Sequence, residues 1–245
     1  MLTGCNTFRN PALLTKTVTT LDHVSQGRAI LGIGAGWFEL EHAALGFEFG
    51  SGSGERLDWL DESVGAMRRL LDGETVSSPA DGHYAFDEAR LRPLPVQNRL
   101  PIMIGGGGEK KTLRTVARYA DMWNWAGIAD LDRIRHKSHV LQQHCEEVGR
   151  DPAEIDQTLY VAGVIRESEA EAVAFFRGQM EANNHGESIY EQPDVHLTTP
   201  EKMTELIISW RELGFETIIV EIASPFDDET AERFATQIRP QVDRA

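Results

Sequence analysis

The sequence predicts an α/β chain built on a parallel sheet, and three observations carry that prediction. Its strand-like runs, among them "AILGIGAGW", "PIMIG", "LYVAGVI" and "ETIIVEI", are apolar almost throughout. Amphipathic stretches of helical period separate them, and glycine-rich turns lead from strand ends into helices. Strands buried on both faces read as unbroken apolar runs, and parallel neighbours need helical crossovers. About six strand–helix units can be counted, the first strand showing only as the residues before Asn6. A closed eight-stranded barrel needs two more units, and an open doubly wound sheet fits the same periodicity.

The first helix is expected from Pro11 to about Ser25. Asn10 suits the N-cap, Pro11 the first helical position and Gly27 the exit. Leu14, Val18, Leu21 and Val24 recur near the helical period and form its expected apolar side. A strand over Ala29 to about Gly34 follows. A second helix runs from about Glu55 to Leu71, with Leu57, Leu60, Val64, Met67 and Leu71 on one side. "PIMIG" is the next strand and Glu109 to Ala120 the next helix. "DMWNW" is then a strand, and Asp130 to Val148 a helix. Leu159 to Ile165 forms a strand, and Ser168 with Glu171 makes a capping box for the helix after it. Thr199 and Pro200 open another helix, and Glu216 to Ile222 is the last strong strand. Residues 73–100 read as an extended excursion with a hairpin edge. Residues 183–198 read as a polar, irregular loop. No repeat and no composition shift marks a second domain, so 1–245 is expected to be one.

Lys and Arg number 24 against 39 Asp and Glu, a net charge of −15. That sign argues against nucleic acid or an anionic membrane as a partner and leaves room for a local phosphate pocket. With only Cys5 and Cys145, a disulfide scaffold is not expected, and a reducing cytoplasm fits. The opening "MLTGCNTFRN" has neither the basic region nor the apolar stretch of an export signal.

The chemistry is expected at the strand-to-helix turns. "IMIGGGGEKKTLR" gathers free backbone amides where a helix begins, and glycines let those amides approach an anion closely. Thr112 and Lys110 or Lys111 would add a hydroxyl and a cation. The spacing is neither a Walker motif nor a dinucleotide fingerprint. "GIGAGW", Gly32 to Trp37, leaves room for a flat ring, with Trp37 either walling the cavity or packing plainly. "TGCNTFRNP" places Asn6, Thr7, Arg9 and Asn10 at another strand end, and Asp121 and Asn124 flank Trp123 and Trp125 at a further one. The histidines form no metal-binding pattern, and His136 and His139 are expected in solvent. There is no nucleophile elbow, so chemistry carried by a cofactor suits the residues better than unaided hydrolysis. His42, Glu39 and Glu41 are the remaining candidates for acid–base work, and no catalytic residue is assigned.

The block "GCNTFRNPALLTKTVTTLDHVSQGRAILGIGAGWFELEHAALGFEF" resembles the luciferase-like monooxygenases, within them the branch of oxidoreductases that use deazaflavin coenzyme F420. "LRPLPVQNRLPIMIGGGGEKKTLRTVARYADMWNWAG" and "HCEEVGRDPAEI" are similar to the same branch. The resemblance implies a (β/α)₈ TIM-barrel fold with an insertion region, incomplete here because Met1 falls inside the family's third strand. It implies that the cofactor phosphate lies against Gly106, Gly107, Gly108, Glu109 and Thr112. It implies that Thr3, Gly4, Cys5 and Asn6 form the bulge under the ring, often with a non-prolyl cis peptide. The loop 183–198 would close over the substrate. Hydride transfer between a small organic substrate and coenzyme F420 is the implied reaction. FMN with oxygen, for monooxygenation, is the alternative, and a cofactor-binding remnant without turnover is a third. A homodimer is a possible assembly.

Overall fold

The computed structural model describes residues 2–126, 130–184, 195–222 and 224–245. The chain divides into two compact units: residues 1–124 with 137–156, and residues 125–136 with 157–245.

In the first unit, β1 (Gly4–Cys5), β2 (Leu31–Gly34), β3 (Ile102–Gly105) and β4 (Met122–Ala126) lie side by side in that order, all parallel. Gly4 faces Ile33, Ile33 faces Ile104, and Gly105 faces Asn124. Leu31, Ile33, Ile102 and Ile104 are almost wholly buried, as continuous apolar strands require. This register brings the glycine ends of β2 and β3 level with the start of the chain.

The first helix, α1 (Pro11–Ser25), starts as expected. Asn10 Oδ1 accepts from the Ala12 amide at 3.0 Å, and the chain leaves through left-handed Gln26 and Gly27. Its buried side is not the one the apolar period indicated. Pro11, Thr15, Thr19 and Asp22 are buried, whereas Leu21 and Val24 face solvent. The buried hydroxyls are satisfied within the helix, Thr15 donating to Pro11 O (2.7 Å) and Thr19 to Thr15 O (2.9 Å). Asp22 accepts from the Val96 and Gln97 amides, the Gln97 side chain and the Ala29 amide. Burial pushes that carboxyl up, but these hydrogen bonds outweigh it and hold the group below the ordinary carboxylate range. A polar stripe thereby packs without an unmet group.

A short helix that the periodicity did not reveal, α2 (Glu39–Leu45), precedes α3 (Ser53–Leu71). The excursion 73–100 has the expected hairpin edge, Val76 bridging Ala89 in antiparallel fashion. Then α4 (Thr112–Tyr119) begins three residues later than Glu109, because Leu113 N reaches back to Gly108 O (3.0 Å) and closes a turn first. The long α5 (Leu131–Val148) follows.

In the second unit β5 (Asp156–Ile165) pairs in parallel with β6 (Val195–Thr198) through Ala162–Ile165, and with β7 (Phe215–Glu221) through Gln157–Ala162. Here α6 (Glu169–Ala182) has the expected cap, Ser168 accepting from the Glu171 amide. After β6 comes α7 (Pro200–Glu212), capped by Thr199, and after β7 comes α8 (Asp228–Arg233). The expected irregular loop is corrected at its end, since Val195–Thr198 is a strand whose Val195 and Leu197 pack against Val164, Ala172, Phe176 and Met180. Residues 185–194 of that loop lie outside the described residues. Seven strands are thus present among the described residues rather than six. None of the helices described is long and apolar enough to cross a membrane.

Candidate functional site

The strand ends of the first unit converge on Thr3. A Cβ built on Gly34 would meet its hydroxyl at 3.2 Å, and one on Gly105 would meet its hydroxyl and methyl at 3.0 Å. The peptide between Leu2 and Thr3 is cis. Gly34, Gly105 and Thr3 therefore form a floor without bulky side chains, level with the bulge Gly4–Cys5 beside it.

The glycine bend rises from this floor. Gly106 has φ of +120°, a conformation that side chains disfavour, and is fixed from both directions. Its amide donates to Asn124 O (3.0 Å), and its carbonyl accepts from the indole of Trp123 (2.8 Å). Trp123 and Asn124, both buried, thus hold the bend in shape. The amides of Gly107 and Gly108 make no hydrogen bond among the described residues. A Cβ on Gly108 would sit 2.7 Å from Thr112 Oγ1, so the hydroxyl at the first residue of α4 occupies the space a side chain would need. No side chain caps α4. Bare amides, a hydroxyl and an uncapped helix start lie close together here, and these are the kinds of group that bind anions.

The cations sit elsewhere than the sequence suggested. Lys111 Nζ donates to Asp58 Oδ2 (2.7 Å) and Gly54 O (2.9 Å), which ties it to α3. Lys110 is exposed. Glu109 keeps its place beside the bend, but its carboxylate accepts from Lys137 (2.6 Å) and its carbonyl faces His144 Nε2 at 2.7 Å.

At the other end of the floor Asn6 is buried, its amide donating to the Tyr84 hydroxyl (3.0 Å) while that hydroxyl donates to Asn6 O (2.9 Å). Burial, above all, raises the Tyr84 phenol far above its usual range, so it stays a neutral donor. Asn6 Oδ1 has no hydrogen-bond partner among the described residues. Cys5 lies with Thr7, His42 and Gly36, while Arg9 is exposed. The sequence put His42 near the cleft, and its ring is 1% exposed among these groups. Thr7 sits in the tight helical turn Asn6–Phe8 that follows β1, and that turn brings its hydroxyl back beside Cys5 Sγ (2.9 Å), a link that strand alternation would not reveal.

Other candidates separate from the site. Trp37 is 84% exposed and, among the described residues, stacks on Phe38, so it does not pack in the core. Asp121 forms ion pairs with Arg68 and Arg99 and accepts from the Ile102 amide at the opposite end of β3. Glu39 and Glu41 are exposed, as are His136 and His139. No group of potential metal ligands is found among the described residues.

A parallel α/β chain of this kind matches known proteins. The model of the luciferase-like monooxygenases matches residues 1–217, and the chain belongs to that family. It is 36% identical over 143 residues to an uncharacterized protein of Mycobacterium tuberculosis, which covers 58% of this chain and 48% of that protein. It is 25% identical over 240 residues to the FMNH(2)-dependent dimethylsulfone monooxygenase of Pseudomonas putida, covering 86% of this chain and 65% of that protein. The chain thus spans about half the length of the mycobacterial relative it matches. Among solved structures, an F420-dependent secondary alcohol dehydrogenase in complex with an F420-acetone adduct superposes with a TM-score of 0.78. That match has 22% identity and covers 98% of this chain and 78% of the other.

Proposed function

We propose that this chain is the cofactor-binding part of an oxidoreductase that acts on a small organic molecule with a phosphorylated flat tricycle, reduced FMN being the favoured form. The observation that carries the proposal is the cradle: bare amides at Gly107 and Gly108 over an uncapped helix, next to a floor without bulky side chains. Relatives that share most of this chain's length and carry FMNH(2)-dependent names favour flavin and oxygen over the deazaflavin that the sequence resemblance implies. Coenzyme F420, a tricycle that also carries a phosphate, is the second reading, supported by the fold shared with the secondary alcohol dehydrogenase.

The residues fit such a group. Gly34 and Gly105 give up to Thr3 the space their side chains would need, so the strand ends close together under the place proposed for the ring. The Gly107 and Gly108 amides and the Thr112 hydroxyl would hold the phosphate, with the positive end of α4 behind them. Trp123 and Asn124 keep these donors aimed without reorganisation, which is where preorganised sites gain most. Asn6 and Tyr84 hold the bulge at the ring end. When bound, reduced flavin supplies electrons for activating oxygen, whereas reduced deazaflavin supplies a hydride.

Titration with FMN, reduced FMN under anaerobic conditions, and coenzyme F420, read by fluorescence, tests the reading. Tight binding of one of them, weakened at least tenfold by Gly108→Val and by inorganic phosphate in competition, is the expected result. If Gly108→Val binds every cofactor as the parent does, the cradle is not the phosphate site. Reduced FMN binding best supports monooxygenation, and coenzyme F420 binding best supports hydride transfer.

A further inference from the structure

The cluster behind the bulge has an ordered set of donors and acceptors. His42 Nδ1 lies 2.8 Å from Phe38 O. A carbonyl oxygen only accepts, so Nδ1 carries the ring proton, and in the neutral ring Nε2 presents a lone pair. The Thr7 hydroxyl, 2.6 Å from Nε2, must then donate to it. Its oxygen is left to accept, and Cys5 Sγ stands 2.9 Å away with a proton to give. Sγ is also 3.6 Å from Nε2. With the ring neutral, direction then runs along the whole chain: thiol to hydroxyl, hydroxyl to imidazole, imidazole to backbone.

The surroundings hold this arrangement rigidly. The imidazole is wedged between Phe8 (ring centroids 4.7 Å apart) and the edge-on Phe49 (4.6 Å). Arg56 stacks on Phe49, its Cζ 3.6 Å from the ring centroid, and donates to Gly36 O (3.2 Å) and Phe49 O (3.0 Å). A Cβ on Gly36 would lie 2.6 Å from Sγ, so a glycine is needed for the sulfur to sit where it does. His42 is buried, whereas Cys5 is partly exposed. A base is thus enclosed behind a residue that is itself only partly buried.

We infer that Cys5 is a nucleophilic thiol, activated by His42 through Thr7, that takes soft electrophiles such as the β-carbon of an α,β-unsaturated carbonyl compound. The Sγ proton passes to the Thr7 oxygen as the Thr7 proton passes to His42 Nε2. Sulfur forms a bond to the β-carbon, and the C=C π pair moves to the carbonyl side as an enolate. The imidazolium then returns a proton, through Thr7, to the α-carbon. The sum is addition of S–H across C=C, with no oxidant, reductant or cofactor. This is the arrangement of nucleophile and base that covalent catalysis uses, with a hydroxyl between them. It stands apart from the cofactor reading, since it needs neither flavin nor phosphate.

Labelling of the folded chain with N-ethylmaleimide, followed by intact mass and peptide mapping, tests it. Cys145 is completely buried and serves as an internal reference for loss of fold. One adduct, at Cys5, is expected. Its rate should fall at least tenfold in Thr7→Val and in His42→Gln, and recover in Thr7→Ser, which restores the hydroxyl. If His42→Gln exposes Cys145 to labelling, the Thr7→Val and Thr7→Ser pair decides. Labelling of Thr7→Val at the parent rate, or parent labelling no faster than that of a short peptide carrying the same cysteine, overturns the inference.

Discussion

At the end of β3 the chain dispenses with side chains and leaves amides bare, whereas at the end of β5 it fills the same kind of position with saturated charge. Arg166, the residue after β5, donates through both terminal nitrogens to Asp227 (3.0 and 3.1 Å) and also to Ile165 O (2.7 Å). Thr230 donates from its hydroxyl and amide to the same carboxylate and accepts from the Ile165 amide (2.9 Å). The guanidinium lies over Phe175, 3.9 Å from the ring centroid. Every group there has a partner within the chain, and the two charges are 3% and 7% exposed. The β3 end instead keeps donors in reserve. Gly107 is half-buried and Gly108 exposed, so their amides are open to water or to a ligand, whereas the buried charges at β5 have to be satisfied within the chain.

Breaking the closed end should have the largest effect. Arg166→Met leaves the Asp227 carboxylate buried without its partner, and such losses cost about 3–5 kcal/mol. Urea unfolding should show that drop, while the double variant Arg166→Met with Asp227→Leu should recover most of it. If the single and double variants are equally unstable, the pair is not an isolated closed network, and the contrast with β3 weakens.

A second carboxylate shows that the contrast separates site from scaffold rather than one unit from the other. Asp22 belongs to the same unit as the glycine bend, yet it is saturated by four donors. Its folded value lies below the ordinary 3.8, so the stability it contributes is complete above that pH and is lost as pH falls through the folded value. Asp22→Asn should cost about 1.5–3 kcal/mol at neutral pH, the range for hydrogen bonds to a charged group. The gap between parent and variant should narrow as acid is added below about pH 4. A gap that stays constant from pH 7 to pH 3 would show that the charge contributes nothing.

Much of this was legible in the residues, and what was not has physical causes. Apolar runs such as "PIMIG" and "LYVAGVI" announce buried parallel strands because both faces are covered. Asn10, Ser168 and Thr199 announce helix starts because their oxygens accept from the amides that follow. The strand β6 escaped because four residues give too little alternation to stand out from a polar loop. The buried face of α1 follows hydrogen bonding as well as hydrophobicity, which an apolar period alone does not show. Thr15, Thr19 and Asp22 are also at helical spacing, and threonines that donate to the carbonyl four residues back bury a methyl without an unmet hydroxyl. At the site, glycine composition pointed to the bend, but not to the tie between Lys111 and Asp58 or to His42 behind Cys5. Those depend on which segments the fold brings together across 53 and 37 residues.

The open end gives the smallest change in stability and the sharpest separation of folding from binding. Gly106 holds φ of +120°, and a Cβ there would lie 3.4 Å from Thr112 Cγ2, which ordinary adjustment can accommodate. Gly106→Ala should therefore lower stability by only about 1–2 kcal/mol, the cost of a side chain in a left-handed conformation. Its effect on ligand affinity should be larger, because relief of that strain must turn the planar Gly106–Gly107 peptide, whose carbonyl Trp123 holds, and the Gly107 amide turns with it. Unfolding and cofactor titration on the same preparation read the two quantities separately. A loss of affinity no greater than tenfold, the factor to which about 1.4 kcal/mol corresponds, would mean that the bend serves the fold alone, and the difference between the two strand ends would carry no functional meaning.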